Sequence, residues 1–138
     1  MLQNESILWV ADNSGAKKIL VIRCLGGSNR RYSRIGDLVI ATVKKVDPES
    51  DNVRDGEMKK GQIVTALVVT TRHWFRRQND TLIRFSKNYA VLVNKQPKKK
   101  KSKRDKALPV ATRIFVPLLA EFDQWGYKKA LSLAPEVL

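Results

Sequence analysis

Six short runs rich in Val, Ile, Leu and Thr, each cut off by turn chemistry, constrain the fold more than any other feature of this chain. They cover residues 6–11, 17–25, 38–46, 63–71, 82–85 and 90–94. Between them lie Asp12-Asn13-Ser14-Gly15, Gly26-Gly27-Ser28-Asn29, Gly36-Asp37, Asp55-Gly56, Gly61 and Asn79-Asp80. Glycine supplies positive φ in such turns, and Asp, Asn and Ser bond back to the nearby backbone. Aliphatic, β-branched runs of this length, bounded in this way, predict strands. Their spacing predicts an all-β closed barrel or sandwich and argues against helical crossovers. Closure also removes the unpaired strand edges that invite aggregation.

Two polar stretches interrupt the strands within what is expected to be one domain over residues 1–138. Residues 47–60 are mixed in sign and contain Pro48, which suits a long hairpin loop. Residues 95–106 carry eight basic side chains and one acid, Asp105. Like charges at this density oppose packing, so this insert is expected to stay extended until phosphates neutralise it. After Pro109, residues 112–116 read as a last short strand or an extended arm. Leu118, Leu119, Phe122 and Trp125 follow at helical spacing, with Gly126 as a stop and a second short turn over residues 128–133. That apolar stripe is expected to pack on the barrel.

Charge then narrows the partners. The chain has 27 Lys and Arg against 13 Asp and Glu, a formal charge of +14. Such self-repulsion disfavours a compact state unless a polyanion relieves it, and nucleic acid is the leading candidate. Anionic membranes and acidic glycans compete on charge alone. Against them stand the lack of a membrane-length apolar stretch, of a signal-type hydrophobic segment near Met1, and of cysteine pairs. The chain is therefore expected to work in the compartment where it is made, without a small-molecule substrate or cofactor. The one cysteine, Cys24, sits in an apolar run and reads as a buried small hydrophobe.

Catalytic signatures are missing from the sequence. His73 is the single histidine and stands far from Cys24. No metal-ligand spacing, phosphate-loop signature or nucleophile elbow occurs. The carboxylate pairs Asp47 with Glu49 and Asp55 with Glu57 lie in a polar loop, where nothing raises a carboxyl pKa toward a useful range. Gly26-Gly27-Ser28 lacks both the full glycine pattern and the following helix of a dinucleotide site.

Basic residues, by contrast, cluster with aromatics. Arg30, Arg31, Tyr32 and Arg34 follow a glycine turn, and Arg72, His73, Trp74, Phe75, Arg76 and Arg77 occupy an expected hairpin end. Guanidinium groups grip phosphates with paired hydrogen bonds, and aromatic rings stack on unpaired bases. Arg30, Arg31, Tyr32, Arg34, Arg72, Arg76 and Arg77, with Lys17 and Lys18, are the expected RNA-binding residues, and His73 reads as RNA-facing or solvated. Lys98, Lys99, Lys100, Lys101, Lys103 and Arg104 join them as a tract that threads between RNA strands, although such a run also suits a nuclear-import signal or a solvated loop.

Five blocks, in order, carry a resemblance. They are residues 10–18 (VADNSGAKK), 25–32 (LGGSNRRY), 35–37 (IGD), 112–115 (TRIF) and 132–138 (SLAPEVL). They closely resemble the universal large-subunit ribosomal protein L-fourteen family in its bacterial and organellar form. The likeness runs along the whole chain outside the two inserts. The family's central signature is similar to Ala66-Leu67-Val68-Val69, the turn at Asn79-Asp80, Phe85, Asn88 and Val91-Leu92. Asp80 stands where the family's turn has glycine, and Asp tolerates positive φ better than most residues, so an intact turn is expected. Val116 and Ala111 replace family glycines, and Ser86 or Lys87 an acidic residue; these changes touch local contacts.

The resemblance implies a closed five-stranded barrel with a short C-terminal helical region, bound to large-subunit ribosomal RNA. It implies a place at the subunit interface, contact with a neighbouring protein of the L-nineteen type, and a share in a bridge to small-subunit RNA. It also implies a docking face for the ribosome-silencing factor, and Thr112, Arg113 and Lys129 are carried over as the interface positions. The inserts and altered signature positions are more similar to a divergent mitochondrial member than to a bacterial one. Two other readings compete with a structural ribosomal protein. A free single-stranded nucleic-acid-binding barrel, acting as chaperone or translation factor, would need aromatics exposed across one face. An RNA-processing enzyme would need an acid–base pair that the sequence does not offer.

Overall fold

A computed structural model describes residues 2–26, 30–95 and 107–138. Five strands close the barrel. They are β1 (Ile7–Val10), β2 (Ala16–Cys24), β3 (Leu38–Val46), β4 (Ile63–Thr70) and, beyond the short strands β5 (Phe75–Arg76) and β6 (Leu82–Ile83), β7 (Tyr89–Lys95). Neighbours in the ring run antiparallel from β1 to β7, and a short parallel pairing of β1 with β7, Trp9 opposite Tyr89 and Val10 opposite Ala90, seals it. Register shifts in the β2–β3 ladder bend these long strands around the curve.

The composition of each strand follows from what covers it. β2 and β3 face the core on one side, and their buried positions alternate: Ile19 and Val21 point inward, as do Val39, Ala41 and Val43. β4 and β7 instead read as continuous apolar runs because both faces are covered. Ala66, Val68, Ala90 and Leu92 fill the barrel. Leu67, Val69, Val91 and Val93 point outward into a second core with Ile114, Leu118, Leu119, Phe122, Tyr127 and Ala130. The C-terminal segment is thus the outer half of a two-layer packing.

That segment departs from the helical stripe expected of it. Only α2 (Glu121–Gln124) and α3 (Lys128–Leu133) are helical there, after α1 (Asp51–Arg54) earlier in the chain. Leu118 lies in extended chain bridged in parallel to Val137, so its burial comes from strand-like pairing. The stop is where it was expected. Gly126 at φ +91° ends α2, with Gly126 N–H donating to Asp123 O at 3.3 Å and Tyr127 N–H to Phe122 O at 2.9 Å, the paired bonds of a Schellman cap.

Other expectations shift in detail. Residues 82–85, predicted as a barrel strand, contribute only β6, which pairs with β5 in a separate two-stranded hairpin outside the ring. Residues 112–116 take the extended-arm alternative, with one β-bridge, Asp12 to Ile114. The β8 strand (Ala107–Pro109), not foreseen, pairs with the end of β7, Asn94 opposite Leu108 and Lys95 opposite Ala107. The polar stretch 47–60 does connect β3 to β4, yet it carries the helical turn α1 and drops Met58 into the barrel core. Cys24 is buried as expected.

Candidate nucleic-acid interface

Two basic clusters, distant in sequence, meet at one place on the barrel. The first is the loop leading into β3. Ser33 is buried and exchanges backbone hydrogen bonds with Leu2, at 2.8 and 2.9 Å. Asp37 accepts from Arg34 N–H at 2.8 Å and pairs with the Arg30 guanidinium, whose Nε donates to Tyr32 O at 3.2 Å. With its backbone fixed from both sides, the loop presents Arg31, Tyr32 and Arg34 to solvent. Tyr127 packs beneath it, and burial, with the nearby Asp37 charge second, holds its phenol pKa above the ordinary value.

The second cluster is the hairpin after β4. Arg72 N–H donates to Asn88 Oδ1 at 2.8 Å, and Thr71 Oγ1 to His73 O at 3.1 Å, fixing the hairpin's root. Its tip is the Asn79-Asp80 turn, where Asp80 takes φ +62° and Asn79 Oδ1 accepts from Thr81 N–H at 3.2 Å and Thr81 Oγ1 at 2.5 Å. Between hairpin and loop lies a cleft of about 200 Å³, with Ile35 and Phe75 among its walls and Arg34, His73, Trp74 and Arg76 around it. Trp74 is 51% exposed, and the Arg84 guanidinium lies 4.7 Å from its ring centroid.

The remaining expected residues divide by environment. Arg76 is exposed and pairs with Asp80 at 2.7 Å. Arg77 is turned inward: its Nε donates to Glu121 Oε1 at 2.8 Å and its Nη2 to Leu138 O at 2.9 Å, so it also fastens the C-terminal segment. Lys17 is exposed, while Lys18 lies 4.4 Å from the Trp9 ring centroid. Lys98, Lys99, Lys100, Lys101, Lys103 and Arg104 lie outside the described residues. Thr112 and Arg113 are exposed on the arm after β8, and both their N–H groups donate to Asn13 Oδ1 at 3.1 Å. Lys129 is exposed on α3, which packs beside β8. Sequence reasoning missed Trp9, Arg84 and Lys87, whose association depends on pairing between separate elements and leaves no local signal.

Chemistry beyond binding finds little to work with. Among the described residues no group of three or more His, Cys, Asp or Glu is placed to hold a metal, and no helix is long and apolar enough to cross a membrane. His73 is exposed, with no carboxylate within 4 Å among the described residues. The buried carboxylate, Asp12, accepts from Ser14 N–H at 3.1 Å, Ser14 Oγ at 2.5 Å and Leu92 N–H at 3.0 Å. Its oxygens are therefore engaged in completing the backbone.

Fold and surface together define a small, strongly basic all-β barrel protein in which two hydrogen-bonded loops gather exposed cationic and aromatic groups. The family model for ribosomal protein L14p/L23e matches residues 1–138, and the chain belongs to that family. Its role is accordingly that of a structural ribosomal protein, in a family that is generally non-enzymatic.

Proposed function

We propose that this chain is a constituent of the large ribosomal subunit that binds large-subunit rRNA through the paired loops around Trp74. The observation that carries the reading is the convergence of Arg34, His73 and Arg76 with an exposed indole on one cleft. Arginines there engage phosphates, and the cleft admits an unpaired base against Trp74. Arg31, Tyr32, Arg72, Lys17 and Lys18 extend the cationic surface. Arg30 contributes chiefly by holding the loop through Asp37, and Arg77 by holding the C-terminal segment.

On the flank formed by α3 and the arm after β8, Thr112, Arg113 and Lys129 are the contacts for a neighbouring protein of the L-nineteen type and for a bridge to small-subunit rRNA. The same flank is a docking face for a ribosome-silencing factor. Support comes from the exposure of all three side chains and from Asn13, which fixes the arm's backbone while leaving the Arg113 side chain outward. The resemblance favours a mitochondrial ribosome over a bacterial one.

Gradient sedimentation of native ribosomes tests this. The protein travels with the large subunit through moderate salt, and Arg34→Gln combined with Arg72→Gln releases it at lower salt. Recovery only in ribosome-free fractions would remove the proposal.

A further inference from the structure

A second aromatic surface lies on the barrel wall, outside the Trp74 cleft. Along β1 the alternation buries Leu8 and turns Trp9 outward, 37% exposed. Two lysines from different elements cover the Trp9 ring. Lys18, its cross-strand partner on β2, places Nζ 4.4 Å from the ring centroid, and Lys87, just before β7, places Nζ at 4.9 Å. Lys45 stands opposite Lys18 across the β2–β3 ladder. Beside the ring opens a cleft of about 420 Å³, walled by Lys17, Lys45, Tyr89 and Phe115, and none of its lining residues is acidic. Phe115 is 61% exposed.

This arrangement is poorly satisfied within the chain. Like charges directly opposite across a ladder are destabilising. Among the described residues, none of Lys17, Lys18, Lys45 and Lys87 lies within 4 Å of a carboxylate. The ammonium groups of Lys18 and Lys87 settle on the indole face, which attracts cations but does not neutralise them. A ligand that brings anions and a flat ring satisfies both halves at once. Single-stranded RNA does this: its phosphates draw the lysines off the indole, and the uncovered ring then stacks on a base. An acidic peptide supplies only the charge.

We propose that Trp9 is the seat of an unpaired nucleotide, its base stacked on the indole beside Phe115 and its flanking phosphates held by Lys18, Lys45 and Lys87. The seat rests on the rRNA-binding reading and extends it to a new surface. Asn88 ties the two surfaces together, since its carbonyl accepts from Trp9 N–H at 3.0 Å while its side chain accepts from Arg72 N–H at 2.8 Å.

The test uses the full chain carrying Trp74→Phe, so that Trp9 reports beside the half-buried Trp125. Large-subunit rRNA transcript and a short oligouridine serve as probes. Binding quenches the emission, Trp9→Phe added to that background abolishes most of the quench, and Trp9→Ala weakens oligouridine binding on the order of ten-fold. Lys45→Gln and Lys87→Gln each make the dependence of log affinity on log salt shallower by about 0.7 for a single strand. If the wild-type chain binds rRNA while the emission and the salt slopes of the variants stay unchanged, the seat is wrong and the rRNA reading survives. If the wild-type chain, with Trp74 intact, binds no rRNA in dilute buffer, the rRNA reading itself fails. Crosslinking of the Trp9 peptide in assembled subunits to protein rather than to a nucleotide would also overturn the seat.

Discussion

Asp12 shows how a single side chain can finish a barrel. The β7 edge is shared, with β1 pairing at Tyr89 and Ala90 and β8 pairing from Val93 onward. At the join, Ala11 N–H donates to Ala90 O at 2.9 Å and Val110 N–H to Leu92 O at 3.1 Å, while Leu92 N–H, which neither strand satisfies, is taken by Asp12 Oδ2. Burial raises the Asp12 pKa, and the bonds from Ser14 and Leu92 only partly offset it. Asp12→Asn keeps the shape but sets an amide donor against either the Leu92 N–H or the Ser14 donors. The expected loss is about 1–3 kcal/mol, the cost of a buried group left unpaired, read by urea unfolding. The pH dependence has a definite sign. Because the folded state holds the Asp12 proton more tightly than the unfolded state, this contribution to stability is fully present below the ordinary carboxylate pKa and is lost as pH rises through the raised one. The gap between wild type and variant is thus widest in acid and narrows toward neutrality. A pH-independent gap would show that Asp12 does not titrate in this range.

Gly36 is a second position where one atom matters. At φ +93°, a Cβ there would lie 2.7 Å from ring atoms of Trp125. Trp125 in turn meets the rings of Phe75 and Phe122 edge-on, with centroids 6.0 and 5.2 Å away. Gly36→Ala therefore strains the backbone and pushes on the stack that supports the Trp74 hairpin. More than about 1 kcal/mol of destabilisation is expected, visible as a lower Tm. An unchanged Tm would mean the stack yields without cost.

At the scale of elements, the β5–β6 hairpin and the C-terminal segment depend on each other through Arg77. Its guanidinium and the Glu121 carboxylate are only 21% and 12% exposed, and the pair is two-pronged, with a third bond to Leu138 O. Arg77→Lys keeps the charge but loses the fork. The expected effect is about 1.5–3 kcal/mol, the range for hydrogen bonds to charged groups, with faster amide exchange across residues 118–138 and the barrel strands little changed. Uniform acceleration across the barrel would mean the two layers unfold as one unit. This dual use explains what the sequence left illegible. In a run of basic and aromatic residues, Arg76 and Arg77 look alike, and only the fold turns one to solvent and the other onto Glu121. The barrel strands were legible because periodicity reports burial directly: alternation in β2 and β3, continuous apolar runs in β4 and β7. The short β6 strand was misjudged because Leu82 and Ile83 have the composition of a barrel strand while their partner, Phe75–Arg76, was hidden inside a charge cluster. The Leu118 stripe had helical spacing but was buried by bridging to the chain end. The Trp9 surface had no local pattern at all, since its lysines arrive from β2, β3 and the β7 entrance.

For the whole molecule, the governing quantity is a formal charge of +14 on a barrel whose described ion pairs are few. Those ion pairs serve to fix loops and cannot reduce a net charge, so the whole excess is left for the surroundings to balance. The lysine-rich stretch concentrates that excess, and its place in the fold makes it separable from the barrel. Lys95 and Ala107 stand directly opposite each other in an antiparallel ladder, and a tight turn is enough to connect such strands. Replacing residues 96–106 by Asn-Gly removes seven basic side chains and one acid while leaving every barrel strand its partners. The shortened protein is expected to keep its thermal transition. Its affinity for large-subunit rRNA becomes less dependent on salt, because every phosphate that is no longer neutralised takes roughly 0.7–0.9 off the slope of log affinity against log salt. The tract carries enough cations to change that slope by several units if it lies along RNA, and by nearly nothing if it is merely solvated. Filter-binding titrations across a salt series, run on both proteins with the same transcript, separate the two outcomes. An unchanged slope would confine RNA binding to the rigid surfaces of the barrel and its hairpin.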